Sequence, residues 1–132
     1  MLCQGYQGLR TEESLNLGET CTKSGMTAIF NVTNFTVDPL PKKNTFVRFT
    51  MTGVSAKNET VPELDAAFKV DGIAYYKEKF PLNAKFEVND VAGVSVQIYV
   101  PGSAENGSYA AQLKLRNDAG DELCCWEYDF TL

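Results

Sequence analysis

The feature that most constrains the fold is an alternation of apolar and polar residues, which begins near residue 28 and continues to the end of the chain. Between Thr45 and Val54, for example, Val47, Phe49 and Met51 share one face of an extended segment and polar residues share the other. Turn signals such as Asp71-Gly72 separate similar segments. These segments are residues 28–37, 45–54, 63–70, 73–80, 84–88, 94–100, 109–116 and 122–132. Such spacing predicts an all-β chain of seven or eight short strands.

Strands that are apolar on one face need a second sheet to cover that face. We therefore expect an immunoglobulin-like, two-sheet antiparallel β-sandwich, with a closed barrel as the structural alternative. Prolines mark two strand ends in this prediction: Pro39 and Pro41 end the first strand, and Pro81 separates segments 73–80 and 84–88. With 132 residues the chain forms one domain. Residues 1–20, which are polar and aperiodic, are predicted to be an N-terminal arm before a domain at residues 21–132.

Charge and composition argue against several functions. The formal net charge of -5 makes nucleic acid a poor partner, because an acidic chain repels phosphate backbones. The sequence has no histidine, which removes the commonest general base and the commonest metal ligand. A carboxylate-based hydrolase is the weakest hypothesis, since no pair of acidic residues stands out. We therefore predict a protein that is not an enzyme and that needs no metal or cofactor.

Four N-x-Ser/Thr sequons indicate a chain that passes through a secretory compartment. They begin at Asn31, Asn34, Asn58 and Asn106. Asn58 and Asn106 lie in predicted loops and are the better glycan acceptors. Asn31 and Asn34 are three residues apart, so on a regular strand they face opposite ways, and only one should carry glycan unless a bulge intervenes.

The cysteines also indicate an oxidising compartment. The chain has an even set of four, without CxxC spacing: Cys3, Cys21, Cys124 and Cys125. Without histidine a zinc site would require all four thiolates, so disulfides are the better interpretation. No apolar stretch approaches the length of a membrane span. The first residues lack a basic start and an apolar run, and we interpret the sequence as a processed chain.

The two ends of the predicted sandwich carry distinctive motifs. The segment Phe35–Lys43 reads FTVDPLPKK, and the last thirty residues contain Gly107-Ser108-Tyr109, the turn NDAG at 117–120 and the segment Leu123–Tyr128, which reads LCCWEY. In order and spacing these motifs resemble the ML lipid-recognition family, which includes the lysosomal cholesterol carrier of Niemann–Pick disease, the group 2 mite allergens and the fungal phosphatidylglycerol/phosphatidylinositol transfer proteins. The resemblance covers Cys21 to Leu132. It implies a sandwich that binds one lipid in an apolar cavity between its sheets.

The resemblance also implies a disulfide pairing. In the family the first cysteine joins the one before Trp-Glu, which here is Cys21 with Cys125, and Cys3 would then pair with Cys124. The alternatives are a bridge between Cys124 and Cys125 and a bridge from Cys3 to a second chain. The chain departs from the animal carriers, which have two further internal disulfides, because no cysteine lies between Cys21 and Cys124.

Carried onto this sequence, the resemblance implies a lipid-binding apolar face. Its members are Phe30, Val32, Val47, Phe49, Met51, Phe68, Val70, Tyr75, Val96, Ile98, Leu113, Trp126 and Tyr128. Tyr75, Tyr76 and Tyr99 are candidates to place hydroxyl groups at the cavity mouth. The alternative is a plain core, because the same residues would fill any β-sandwich at ordinary packing density.

Together these inferences predict a non-enzymatic lipid-binding or lipid-transfer protein that works outside the cell or in a lysosome-like lumen. The expected ligand is a sterol, a fatty acid or a phospholipid. The alternative is an immunoglobulin-like structural subunit of an extracellular assembly, which would associate with itself or with another protein through the N-terminal arm.

Overall fold

The computed structural model describes residues 17–23 and 26–132, with residues 74 and 75 described by their backbone alone. The described residues form eight β-strands and no helix. The strands are β1 (Glu19–Thr20), β2 (Phe30–Asp38), β3 (Thr45–Ser55), β4 (Glu59–Val70), β5 (Ile73–Phe86), β6 (Val91–Val100), β7 (Ser108–Arg116) and β8 (Glu122–Thr131). Because no helix occurs in the described ranges, none there is long and apolar enough to cross a membrane.

The strands form two antiparallel sheets that pack face to face. One sheet has five strands in the order β1-β8-β7-β4-β5, and the other has three in the order β2-β3-β6. The predicted immunoglobulin-like β-sandwich is therefore confirmed, and the barrel alternative is wrong because the two sheets are not joined into a closed ring. The inner faces follow the predicted alternation: Val47, Phe49 and Met51 of β3 are all buried against the larger sheet.

One predicted strand break is wrong. Residues 73–80 and 84–88 were expected to be separate strands with Pro81 between them, but β5 runs continuously from Ile73 to Phe86. Proline is tolerated here because β5 is the edge strand of its sheet, where one row of backbone groups needs no partner strand. Pro81 also lies opposite Glu63, beside an irregularity of register in β4 between Val61 and Glu63.

A bulge in β2 changes the relation between two sequons. The register against β3 shifts between Val32 and Asn34, so that Asn31 lies opposite Val54 and Asn34 opposite Thr52. Both asparagines therefore belong to the outer face of the smaller sheet, where a regular strand would have placed them on opposite faces. Asn31 is exposed, whereas Asn34 is half-buried.

The cysteines follow the predicted pairing in part. Cys21 and Cys125 form a disulfide across 104 residues of sequence, as the resemblance implied. Cys124 is buried and is free among the described residues. Its expected partner Cys3 lies outside those residues, so the bridge between them stays a prediction. Cys124 points into the sandwich, where its Sγ lies 4.0 Å from the Sδ of Met51. Burial raises the pKa of the Cys124 thiol to about 12.

Hydrogen bonds of Leu17 connect the two sheets along one side of the sandwich. The Leu17 N–H donates a hydrogen bond to the Phe35 carbonyl of β2 (3.2 Å), and the Leu17 carbonyl accepts one from Trp126 Nε1 of β8 (2.8 Å). Leu17 therefore bridges the two sheets, beside β1 and the disulfide. On the other side β5 and β6 are the edge strands of their sheets. Among the described residues, no strand pairing joins β5 to β6.

Candidate functional site

An apolar cavity of about 440 Å³ lies between the two sheets at the end where β6 finishes and the β4–β5 hairpin turns. Its volume is within the range of about 300–1,000 Å³ that is typical of ligand pockets. The wall is formed by strand ends and by the loop that connects β6 to β7. Its lining residues are Phe68, Tyr76, Ile98, Tyr99, Val100, Pro101, Ala104, Tyr109, Phe130 and Leu132.

The chemistry of this wall is uniform. None of the ten lining side chains is charged, and the only side-chain polar atoms among them are tyrosine hydroxyls. The hydroxyl of Tyr109 donates to the Glu105 carbonyl (2.6 Å), that of Tyr99 donates to Asn44 Oδ1 (3.5 Å), and that of Tyr76 donates to Glu78. Each hydroxyl is therefore bonded to a loop or strand-edge group. The remaining wall offers ring and aliphatic surface, which suits a hydrocarbon ligand.

The mouth of the cavity lies between two partly exposed tyrosines. Tyr76 belongs to β5 and Tyr99 to β6, and they are 42% and 46% exposed, whereas Phe68 and Ile98 behind them are buried. The rings of Tyr76 and Phe68 are 6.0 Å apart, so one aromatic row leads from the surface into the interior. The cavity is therefore open to solvent on the side of the sandwich where β5 and β6 are the edge strands.

Two of the thirteen predicted lipid-binding residues, Phe68 and Ile98, line this cavity. Six others are buried in the core: Phe30, Val47, Phe49, Met51, Val96 and Leu113. Val32, Trp126 and Tyr128 are partly buried against that core, and Val70 is half-buried at the end of β4. The Tyr75 side chain lies outside the described residues.

The reason for this distribution is that the sheets pack closely over most of their length. Phe35 of β2 contacts Phe49 within its own sheet and Tyr128 of β8 in the other sheet, with ring centroids 6.2 Å apart in each pair. Aromatic side chains in such contact leave no room for a ligand between them. The cavity lies beyond this aromatic layer, at the end of the sandwich where Phe68 and Phe130 line it.

Sequence reasoning missed part of the wall. Tyr109 continues the apolar alternation of β7, so its inward direction was readable from the sequence. Val100 ends the apolar alternation of β6, whereas Pro101 and Ala104 lie in the following loop, where periodicity carries no information. Ala104 is nevertheless buried, because the loop folds back through a hydrogen bond from its N–H to the Pro101 carbonyl (3.1 Å).

Neither a comparison with protein-family models nor one with curated protein sequences finds a match. Solved structures do match. A Niemann–Pick type C2 protein from the Japanese carpenter ant aligns with a TM-score of 0.67 and 10% identity, covering 87% of this chain and 98% of that chain. The two proteins share one fold. The C-terminal domain of wzt aligns with a TM-score of 0.58 and 15% identity, covering 91% of this chain and 73% of that domain.

The predicted resemblance to the ML family is thus confirmed for the fold.

Other hollows on the molecule differ from the cavity in kind. They measure about 420, 510 and 560 Å³, and each is lined by at least one lysine. Within residues 17–23 and 26–132, no group of three or more acidic or cysteine side chains is placed to hold a metal ion. The apolar cavity is therefore the candidate site.

Proposed function

We propose that this protein binds a lipid, with the hydrocarbon part of the lipid in the cavity between β5 and β6. The single observation that carries the proposal is an uncharged cavity of about 440 Å³ at the open side of a sandwich that is otherwise closely packed. A void of this size leaves the surrounding side chains without contacts on one side, which costs dispersion energy. An apolar ligand restores those contacts.

The energetic scale is adequate for a carrier. Burial of hydrocarbon contributes about 0.8 kcal/mol for each CH₂ group, so a ligand that places eight methylenes in the cavity would gain about 6 kcal/mol before the cost of association. Because the wall has no charged residue, we expect the polar head of the lipid to remain at the mouth, near the hydroxyls of Tyr76 and Tyr99. A fatty acid, a sterol or a phospholipid would each satisfy this arrangement.

The proposal includes a non-enzymatic role. The fold is that of a Niemann–Pick type C2 protein, and the ML resemblance implies carrying or presenting a lipid rather than changing it. We propose residues 21–132 as the lipid-binding domain and residues 1–20 as an arm that precedes it. No cofactor other than the bound lipid enters the proposal.

We further propose that the protein works outside the cell or in a lysosome-like lumen. The Cys21–Cys125 disulfide supports this, because disulfides persist in oxidising compartments. Of the four sequons, we expect glycan at Asn31, Asn58 and Asn106, which are exposed, and none at Asn34, which is half-buried. Peptide mapping after glycosidase treatment of protein secreted from a eukaryotic host tests this expectation. Occupancy at Asn34 with no glycan at the exposed sites would contradict it.

The test of lipid binding is uptake of dansyl-undecanoic acid from solution. We expect saturable fluorescence enhancement with one ligand per chain, and competition by unlabelled fatty acid. The Ile98→Asp variant should lose this binding, because it places a charge on the wall; Ile98 is one of the lining residues. Val94→Asp is the matched control, since Val94 is a similarly buried residue of β6 that does not line the cavity. Equal behaviour of two folded variants would contradict the assignment.

A further inference from the structure

The edge strands of the two sheets are protected to different degrees. They are β1 and β5 in the larger sheet and β2 and β6 in the smaller one. An edge strand presents unpaired backbone groups, which proteins protect by short length, charged side chains, proline or a covering segment. β1 has two residues, and β5 carries Pro81 and the exposed Lys77 and Lys79. β2 is covered at Phe35, whose carbonyl accepts a hydrogen bond from the Leu17 N–H.

β6 has none of these protections. Its ten residues contain no charged residue and no proline. The stretch Val94–Val100 is also free of glycine, and its β-branched and aromatic composition is typical of segments that add to other strands. Among the described residues β6 pairs with β3 alone, so its other edge is open. β6 is therefore the edge of the sandwich at which a further strand can be added.

The exposed apolar side chains of β6 indicate which strand this is. Val91 is 73% exposed and Tyr99 is 46% exposed, and both lie on the outer face of the smaller sheet with Ser95 at the midpoint between them. Two identical strands that pair in antiparallel orientation are related by a two-fold axis. An axis at Ser95 would place Val91 opposite the partner's Tyr99, and Tyr99 opposite the partner's Val91, on the same face. Each exposed side chain would then cover the other.

The neighbouring strand extends this match. Phe46 of β3, which is 59% exposed, lies opposite Tyr99, and their ring centroids are 4.8 Å apart. Val54 of β3 lies opposite Val91. Across a pair of chains, Phe46 and Tyr99 would therefore continue into the partner's Val91 and the partner's Val54 as one apolar row. The two-fold axis would repeat this row once. Aromatic and β-branched residues that face each other across strands stabilise a sheet.

We propose that β6 is a self-association site, at which two copies of this chain pair their β6 strands in antiparallel orientation about a two-fold axis at Ser95. The two three-stranded sheets become one sheet of six strands. The chain has a net charge of -5, but β6 is uncharged, so the paired strands add no charge repulsion of their own. Pairing occupies the open edge of both chains, and association therefore ends at the dimer. One strand from each chain buries less than the area of about 800 Å² per partner that is usual in stable complexes, so the dimer should dissociate on dilution.

The experiment is sedimentation velocity of the full chain over a range of concentrations. The wild-type protein should change from monomer to dimer as its concentration rises through the micromolar range, without larger species. Val91→Ser should raise the dissociation constant of the dimer about ten-fold or more, because each dimer loses two apolar contacts.

Charged residues at Ser95 test the position of the axis. Ser95→Lys and Ser95→Asp each place like charges opposite one another and should raise the dissociation constant about five-fold or more. An equimolar mixture of the two variants places lysine opposite aspartate and should restore association to within about three-fold of the wild type. Thr36→Lys is the matched control, because Thr36, Thr50 and Ser95 lie in one row across the outer face and Thr36 is on the opposite edge strand, β2. This control should change the dissociation constant about two-fold at most.

Several results would overturn the proposal. A monomer at every concentration would do so, and so would a species that grows beyond the dimer. Equal effects of Ser95→Lys and Thr36→Lys would place the contact away from β6, and a mixture of Ser95→Lys and Ser95→Asp that stays monomeric would exclude the axis at Ser95. A dimer that persists on dilution and that runs as a dimer on a non-reducing gel would assign the association to an intermolecular disulfide instead.

Discussion

Replacement of Ala104 by leucine tests the cavity from its own wall. Ala104 is buried and lines the cavity, so the three added carbon atoms enter empty space. Their burial contributes about 2.4 kcal/mol, and leucine loses about 0.5–1 kcal/mol of side-chain entropy. We therefore expect the ligand-free protein to gain about 1.5–2 kcal/mol in its free energy of unfolding. The added carbons also occupy space that the ligand needs, so affinity for dansyl-undecanoic acid should fall by about 2 kcal/mol, or about 30-fold.

The control for this substitution is Ala111→Leu. Ala111 is also buried, but it lies between Phe68 and Tyr128 in the sheet and does not line the cavity. The same added volume should therefore overpack the core and lower the free energy of unfolding by about 1–3 kcal/mol. Urea denaturation of ligand-free protein measures both variants. If Ala104→Leu destabilises as Ala111→Leu does, or leaves ligand affinity unchanged, the reasoning that a ligand-sized void exists at this position is refuted.

Three further predictions concern the scaffold. Removal of the Cys21–Cys125 disulfide by serine substitution should lower the free energy of unfolding by about 4–5 kcal/mol, because the bridge closes a loop across 104 residues; a loss below about 1 kcal/mol in urea denaturation would contradict this. Cys124 should resist iodoacetamide at pH 8 until the protein unfolds, because burial raises its pKa to about 12 and keeps it a neutral thiol; rapid labelling of native protein would show otherwise. Gly53→Ala should lower the free energy of unfolding by about 1–3 kcal/mol, because the added Cβ would clash with the Asn31 carbonyl oxygen. Gly93→Ala should be close to neutral in thermal unfolding, because the nearest atom to its added Cβ is 3.8 Å away.

The fold was largely predictable because its signal is local. Alternation in β3, β6 and β7 places inner-face residues such as Val47, Val96 and Leu113 in the core, as period-2 patterning requires. The errors arose where tertiary position decides. Pro81 breaks a central strand but not an edge strand, and the sequence does not state that β5 is an edge. The bulge in β2 likewise depends on how this strand pairs with β3. The sequence alone therefore predicted the faces of Asn31 and Asn34 only on the condition that no bulge intervenes.

The candidate site was harder to predict for a physical reason. A residue on the inner face of a sandwich has the same sequence signature whether it packs against another side chain or borders a void. Phe49 and Phe68 both follow the apolar and polar alternation of their strands, yet of these two residues only Phe68 lines the cavity. The cavity lies where strands of both sheets and the loop after β6 meet, and this meeting place depends on tertiary packing that the sequence pattern does not encode. The loop residue Ala104 had no periodic signal at all.

The most direct test of the account is native mass spectrometry of the protein purified from its natural source, followed by organic extraction and identification of any lipid. The account predicts a stoichiometric lipid that is lost on extraction and that dansyl-undecanoic acid displaces. Protein that carries no extractable lipid, and that takes up none when offered fatty acid, sterol or phospholipid, would contradict it.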